Sequence, residues 1–201
     1  AVIGLIFILA LSTPFISGCT PEVQTVTSTK TIVSTSATTV TQTTTDTVTE
    51  TVQLITITDD AGMTYTFDGP VDTIISLAPT ITEIVYFVEA GDKLIGRTDY
   101  CNYPEEVSEI GSIGGYYDPN KEKILLLNPD IVLADSIQCT TGDVEWLQSQ
   151  GLTVIVIAPS DIEGVMRDIM LVGELSGRYS VAADAVAGQL LQELLEAFAV
   201  Q

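Results

Sequence analysis

The sequence predicts an α/β fold with a mostly parallel sheet, preceded by a β-hairpin and followed by a long helix. Short apolar runs bounded by turn residues alternate with helical patterns over 74–175. The run 154–158 is continuously apolar, which is typical of a strand covered on both faces. Repeated strand–helix units place their loops along the carboxyl edge of a parallel sheet, where open α/β sheets bind ligands.

The strands are predicted from apolar runs and from alternation. Residues 54–58 and 63–67 alternate apolar and polar side chains around the turn residues 59–62, which predicts the hairpin. Short apolar runs then predict four buried strands. These runs cover 74–78, 94–96, 131–134 and 154–158.

Five helices are predicted between and after these strands. The first follows Pro79, with a capping box at Thr80 and Glu83, and the fourth starts with the same arrangement at Ser160 and Glu163. The second follows Pro119, and the third covers 143–150. The last covers 180–201 and carries apolar residues at helical spacing, namely Ala183, Val186, Leu190, Leu194 and Phe198.

The start of the sequence predicts a signal peptide over 1–18. An apolar run over 1–11 suits the hydrophobic region of such a signal, and because the sequence starts with neither Met nor a basic region, we expect it to begin inside the signal peptide. Ser17 and Gly18 before Cys19 predict cleavage at that point and lipid attachment to the Cys19 thiol. An uncleaved anchor helix is the alternative, and both readings place the following residues outside the cytoplasmic membrane.

Threonine dominates the next segment. Fifteen of the 32 residues over 20–51 are threonine. Such a composition cannot bury enough apolar surface to offset the entropy of ordering the chain. Residues 19–52 are therefore predicted to form a lipidated, disordered stalk. Because Val and Thr alternate in this segment, a β-strand is the alternative.

The net charge excludes several kinds of protein. It is −20, from 27 acidic and 7 basic residues, and the sequence has no histidine. Nucleic acid is excluded as a partner, because phosphate neutralisation needs clustered Lys and Arg. Catalysis by Ser–His or Cys–His pairs is also excluded, and no other set of catalytic residues is visible, so we expect no enzyme activity.

Four stretches of the sequence carry a family resemblance. They are Ser-Leu-Ala-Pro-Thr-Ile-Thr-Glu-Ile at 76–84, Thr-Asp-Tyr-Cys-Asn-Tyr-Pro at 98–104, Ile-Gly-Gly-Tyr-Tyr-Asp-Pro-Asn-Lys-Glu-Lys-Ile at 113–124 and Asn-Pro-Asp-Ile-Val-Leu-Ala-Asp at 128–135. With these stretches in this order, the chain resembles the iron-chelate and cobalamin binding proteins of ABC importers. The lack of histidine argues against the zinc- and manganese-binding relatives.

The resemblance implies an organisation and a function. Residues 53–179 would form the N-terminal, Rossmann-like lobe, and 180–201 the start of the backbone helix between two lobes, with the second lobe absent from this chain. The implied protein is an extracytoplasmic lipoprotein, anchored at the outer face of the cytoplasmic membrane. It would deliver a cobalamin-like corrinoid or an iron chelate, such as a siderophore or haem, to a permease, and this cargo is its ligand rather than a cofactor.

The resemblance also suggests ligand-binding residues. Tyr100 and Tyr116 stand where the cobalamin-binding members place aromatic residues against the corrin, and Tyr103 and Tyr117 are their neighbours. Loop packing, with the hydroxyl facing water, is the alternative for each tyrosine. The third aromatic contact of the family is missing, because Asp135 and Ser136 occupy its place.

Charge bears on the choice of ligand. Arg97 is the one basic candidate near the tyrosines, and an ion pair with a carboxylate is its alternative role. From Gln53 onward the formal charge is −18, with 6 basic and 24 acidic residues. This favours a neutral or cationic corrinoid over an anionic iron chelate.

Two further predictions concern docking and the cysteines. Glu122 matches the first-lobe glutamate that members of the family use to dock on permease arginines, although the helix dipole alone explains a carboxylate there. Cys101 and Cys139 lie in loops after strands, on the same edge of the sheet, so they form either a disulfide or two free thiols. Two cysteines without histidine make a poor metal site.

A second function remains open from the sequence. The threonine-rich segment could present the α/β unit at the cell surface as an interaction or adhesion module with no role in transport. The tyrosine loop and the Asn-Lys-Glu run at 120–122 favour transport.

Overall fold

The computed structural model describes residues 22–33 and 43–199 and confirms the α/β fold. The strands are β1 Glu22–Val33, β2 Thr43–Thr58, β3 Thr64–Phe67, β4 Ile74–Ser76, β5 Leu94–Arg97, β6 Ile131–Ala134 and β7 Val154–Val156. The helices are α1 Pro79–Phe87, α2 Lys121–Leu127, α3 Ser136–Thr141, α4 Asp143–Ser149, α5 Ile162–Leu175 and α6 Tyr179–Ala199.

The central sheet is parallel, with the strand order β5-β4-β6-β7. From β4 the chain crosses through α1 to β5 on one side, then returns through α2 to β6 on the other side. The direction of winding therefore changes between β4 and β6. In open α/β sheets such a switch leaves a crevice beyond the carboxyl ends of the strands.

The sheet is covered on both faces. One apolar cluster joins β4 and β6 to α1 and α5, with Ile81 and Val172 among its fully or almost fully buried residues. The other joins the opposite face to α2 and α4 through Ile124 and Leu147. All three residues of β4, including Ile75, are buried. Burial on both faces explains why these strands are continuously apolar.

The predicted hairpin is confirmed and is bound to the edge of the parallel sheet. Thr56 pairs with Thr66 in the β2–β3 ladder. The buried Asp59 accepts a hydrogen bond from the Val156 N–H (3.1 Å) through Oδ2, and the Asp60 N–H donates to the Val156 carbonyl (3.1 Å). These bonds satisfy backbone groups of the edge strand β7 that would otherwise lack partners.

The segment expected to be disordered is paired in its described part. β1 and residues 43–54 of β2 form an antiparallel ladder, with Glu22 opposite Leu54 and Val33 opposite Thr43. These strands cover 22–33 and 43–52 of the segment 19–52 for which the sequence predicts a disordered stalk, and they follow the strand alternative there. Val and Thr in alternation favour a pleated strand, which outweighed the low apolar content. The signal peptide, Cys19 and residues 200–201 lie outside the described residues.

The helix starts differ from the predicted ones. α1 begins at Pro79 with Ala78 as its N-cap, so Thr80 makes no cap. Proline at the first helical position has a suitable φ and needs no partner for its nitrogen. In α5 the cap is Asp161 rather than Ser160, and its carboxylate accepts from the Gly164 N–H at 2.7 Å.

One carboxyl group is buried in the packing of α5. Asp168 is 2% exposed, and its Oδ2 has no hydrogen-bond partner among the described residues. Burial raises the pKa of Asp168 to about 7; the Asp60 carboxylate adds to the rise and Arg167 opposes it. The folded protein therefore favours the protonated acid.

Replacing Asp168 with asparagine should stabilise the protein at alkaline pH. The unfolded chain releases this proton near pH 4 and the folded one near pH 7, so stability falls as the pH rises through this interval. Relative to the wild type, Asp168→Asn should raise the free energy of unfolding more at pH 8 than at pH 4. The difference between the two effects should be up to about 4 kcal/mol. Urea unfolding at both values measures this. The exposed Asp184→Asn is the control, and equal effects of the two variants would contradict the prediction.

Candidate functional site

A cleft of about 1060 Å³ opens at the carboxyl edge of the parallel sheet. It lies where the loops after β4, β6 and β7 meet, as the change in winding direction predicts. Its lining residues are Thr80, Glu83, Ile84, Tyr86, Phe87, Tyr103, Pro104, Glu106, Asp135, Ser136, Ile157, Ala158, Pro159, Ser160, Val165 and Ile169. A volume of this size suits a large organic ligand.

Most of the cleft wall is apolar. α1 contributes Ile84 and Phe87, and α5 contributes Val165 and Ile169 from the facing side. Phe87 remains 55% exposed although it is a large aromatic side chain. Exposed apolar surface inside a concave site is typical of ligand binding.

Three of the four predicted tyrosines form one aromatic cluster. The ring centroids of Tyr100 and Tyr116 are 6.4 Å apart, and those of Tyr116 and Tyr117 are 4.8 Å apart, both edge to face. Tyr100 is 57% and Tyr117 66% exposed. The cluster therefore offers aromatic surface to a ligand while its members support one another.

The cluster and the cleft are connected through Asp135. The Tyr116 hydroxyl donates a hydrogen bond to Asp135 Oδ2, and Asp135 lines the cleft. The Gln138 amide donates to the Tyr116 carbonyl oxygen at 2.8 Å. Burial, together with the Asp135 carboxylate, raises the pKa of Tyr116 above its usual value of 10. The hydroxyl is thus held protonated and the ring is fixed in place.

A tight turn presents Tyr116 and Tyr117. Gly114 has φ +100°, a conformation that glycine adopts without penalty, and a Cβ there would lie 3.0 Å from the Asn120 nitrogen. The Gly114 carbonyl also accepts a hydrogen bond from the Asp99 N–H at 2.8 Å. This bond joins the two tyrosine-bearing loops.

Buried polar groups anchor the loop that carries Tyr100. Thr82 Oγ1 lies 2.8 Å from Ser76 Oγ and 3.1 Å from Cys101 Sγ, and Thr98 Oγ1 lies 3.2 Å from the same sulfur. Strand β4, helix α1 and the loop after β5 are thereby tied together. The side chain of Cys101 is buried, so its neighbour Tyr100 is held at the edge of the sheet.

The two cysteines in the described part of the chain, Cys101 and Cys139, are free thiols, so no disulfide joins them in this structure. Cys101 is held by Thr82 and Thr98, whereas Cys139 lies on α3 and packs partly against the apolar cluster on the α4 side of the sheet. Burial, and to a lesser degree Glu145, raises the pKa of the Cys139 thiol. Neither thiol is set up for reaction.

The remaining predicted residues lie around the tyrosine cluster. Tyr103 lines the cleft itself and is 67% exposed. Glu122 is exposed at the start of α2, directly after the tyrosine loop. Arg97 donates to the carbonyls of Val107 (3.2 Å) and Thr98 (3.0 Å), does not line the cleft, and forms no ion pair with a carboxylate of the described residues.

The sequence analysis missed two features of the site. Helix α3 was not predicted, although Asp135 and Gln138 form a capping box at its start. That spacing of an acidic residue and glutamine was a usable signal. The meeting of Glu83 and Glu106 in the cleft has no sequence signal, because it depends on how α1 packs beside the loop after β5.

Removing the Asp135 side chain should disturb both the helix cap and the tyrosine cluster. Asp135→Ala loses the cap of α3 and the acceptor of the Tyr116 hydroxyl, so we expect a loss of about 1 to 2 kcal/mol in unfolding free energy. The pKa of Tyr116 should also fall toward 10, as measured by phenolate absorbance. Asp161→Ala removes the cap of α5 only and should leave that titration unchanged. An unaltered Tyr116 titration in Asp135→Ala would contradict the assignment.

Two absences apply to the described part of the chain. Within 22–33 and 43–199 no group of three His, Cys, Asp or Glu residues is arranged to hold a metal ion. Nor does any helix in these ranges have the length and apolarity needed to cross a bilayer.

Comparison with known proteins gives a consistent result. The sequence model of a family described as periplasmic binding protein matches residues 74–199. A vitamin B12-binding protein of Vibrio campbellii is 32% identical over 120 residues, which cover 60% of this chain and 44% of that protein. An uncharacterized ABC transporter substrate-binding lipoprotein of Bacillus subtilis is 32% identical over 143 residues, which cover 70% of this chain and 44% of that protein.

Solved structures share the fold. The periplasmic vitamin B12 binding protein of Vibrio cholerae matches with a TM-score of 0.58 and 30% identity, over 65% of this chain and 52% of that one. A siderophore-binding protein matches with a TM-score of 0.61 and 19% identity, over 70% of this chain and 52% of that one. At this identity the match shows a shared fold only. The chain spans less than half the length of the two curated relatives described above.

Proposed function

Since the chain belongs to the iron-chelate and cobalamin group of the periplasmic binding protein family, we propose that the whole protein is an extracytoplasmic substrate-binding lipoprotein of an ABC importer. Its cargo is a cobalamin-like corrinoid or an iron chelate, a siderophore or haem. The observation that supports this most strongly is the aromatic cluster of Tyr100, Tyr116 and Tyr117 beside an apolar cleft at the carboxyl edge of the sheet.

The protein acts by binding and does no covalent chemistry. A broad, flat ligand face is buried against Tyr100 and Tyr116, and Tyr103 and Tyr117 extend this contact. Tyrosine suits the task because its ring packs against apolar surface while its hydroxyl remains solvated. The bonds of Tyr116 with Asp135 and Gln138 fix its ring before the ligand arrives, which lowers the entropy lost on binding.

Delivery requires a docking surface and an anchor. Glu122 is exposed at the start of α2 and docks on basic residues of the permease, while Lys121 and Lys123 beside it are engaged within the lobe. The thiol of Cys19 carries the lipid that holds the protein at the outer face of the cytoplasmic membrane. Helix α6 leads from this lobe toward a second one, and the ligand is held between the two.

Isothermal titration of the full-length protein tests this function. Cyanocobalamin, haemin and a ferric siderophore are titrated separately. We expect saturable binding of at least one of them at a stoichiometry of one, with a Kd of about 1 μM or below. Absence of saturable binding by all three would contradict the proposed function and would favour the surface-interaction alternative.

A further inference from the structure

We propose that Glu83, Glu106 and Asp135 make the cleft selective for cationic or neutral corrinoids over anionic iron chelates and porphyrins. This inference rests on the proposed function and narrows its ligand class. The three carboxylates come from different elements: Glu83 from α1, Glu106 from the 3-10 turn Glu105–Glu109 and Asp135 from the loop after β6. All three line the cleft.

None of these carboxylates is neutralised within the lobe. Among the described side chains, Glu83, Glu106 and Asp135 form no ion pair with Lys or Arg. Asp135 accepts neutral donors only, the Tyr116 hydroxyl and the Ile137 N–H. Three formal negative charges therefore face whatever enters the cleft.

Among the residues whose side chains the structure describes, no Lys or Arg lines the cleft to offset this charge. Each of the six Lys and Arg residues over 54–189 forms an ion pair or a hydrogen bond with another group of the lobe. Their partners are Asp72 for Lys93, the Val107 and Thr98 carbonyls for Arg97, Asp143 for Lys121, the Ser112 carbonyl for Lys123, Asp60 for Arg167 and Asp92 for Arg178. A ligand carboxylate or catecholate would find no cation in this wall.

The apolar surroundings strengthen this discrimination. Ile84, Phe87 and Ile169 line the same cleft, and Glu83 and Glu106 are exposed, so a ligand that covers this wall would displace water from around the two carboxylates. Coulomb interactions increase as the local dielectric falls, and clefts with walls of one charge sign concentrate the field. A cationic corrinoid is attracted there, while an anionic ligand loses its hydration and meets repulsion.

The test compares ligands of different charge on matched variants of the full-length protein. The probes are aquacyanocobinamide, a monocation, cyanocobalamin, which is neutral overall, and haemin, which carries two propionates. The double variant Glu83→Gln and Glu106→Gln removes two charges from the cleft. The control is the double variant Glu105→Gln and Glu109→Gln. Both glutamates are exposed residues of the same turn and do not line the cleft. Asp135 is left intact because it caps α3 and holds Tyr116.

We expect the wild-type protein to bind aquacyanocobinamide at least tenfold more tightly than haemin. In the cleft variant this ratio should fall about tenfold, and in the control variant it should stay within about twofold. The change in this ratio between variants compares each ligand with itself, so differences in ligand shape cancel in that part of the test. Equal binding of haemin and aquacyanocobinamide by the wild type, or an unchanged ratio in the cleft variant, would overturn the inference while leaving the proposed function standing. Absence of binding by all three probes, together with binding of the ferric siderophore in the titration above, would overturn the inference and leave the proposed function standing, whereas absence of binding by the siderophore as well would contradict the proposed function.

Discussion

Replacing Tyr100 and Tyr116 with alanine together is expected to weaken corrinoid binding by at least tenfold. The two rings lie edge to face, so the double substitution removes both ligand-facing surfaces and the packing that holds the pair in place. A tenfold loss of affinity corresponds to about 1.4 kcal/mol of binding free energy, which the loss of two aromatic contacts is sufficient to explain. Fluorescence titration of the full-length protein with cyanocobalamin measures the change.

Two further variants separate ligand contact from loss of structure. Tyr179→Ala removes a tyrosine that is 52% exposed at the start of α6, away from the cleft lining, and should leave affinity unchanged. Tyr116→Phe keeps the ring and loses only the bond to Asp135, so it should weaken binding by less than the alanine variant. An unchanged Kd in the double alanine variant, with the protein still folded, would remove both tyrosines from the ligand site.

Reversing the charge of Glu122 is expected to lower uptake through the importer by tenfold or more without changing ligand affinity. Glu122 is exposed, and its neighbours Lys121 and Lys123 are occupied by Asp143 and the Ser112 carbonyl. Its carboxylate is therefore available to permease arginines, where a lysine would be repelled. Uptake of radiolabelled cyanocobalamin by cells that carry Glu122→Lys, together with a binding titration of the same variant, measures both quantities.

The matched control is Glu163→Lys. Glu163 is also an exposed glutamate at the second position of a helix, α5, so both substitutions lose the same favourable interaction with the helix dipole. A docking role requires that only Glu122→Lys lowers uptake. If the two variants lowered uptake equally, the interaction with the helix dipole alone would explain why a glutamate stands at position 122.

The sequence predicted the parallel sheet because its strands are buried on both faces and read as apolar runs. It also located the loop tyrosines at the carboxyl edge, since that placement follows from strand order alone. It did not predict that Tyr116 donates to Asp135, nor that Tyr103 lines the cleft while Tyr100 does not. Such differences depend on loop conformation, which short-range patterns do not determine.

The errors in secondary structure have local causes. The disorder predicted over 19–52 rested on composition, whereas Val and Thr at a period of two favour the strands that the structure has over 22–33 and 43–52. Helix α3 was missed because its six residues contain β-branched and polar side chains, which are weak helix formers. Its cap at Asp135 and its glycine end at Gly142 are what stabilise it.

A crystal structure of the full-length protein with bound cyanocobalamin tests the central claim most directly. The account predicts that the corrin lies at the carboxyl edge of the β5-β4-β6-β7 sheet, in van der Waals contact with the rings of Tyr100 and Tyr116. It also predicts the cleft carboxylates Glu83, Glu106 and Asp135 beside the ligand. A ligand bound at any other surface of the lobe, with the tyrosine cluster still exposed to solvent, would contradict it.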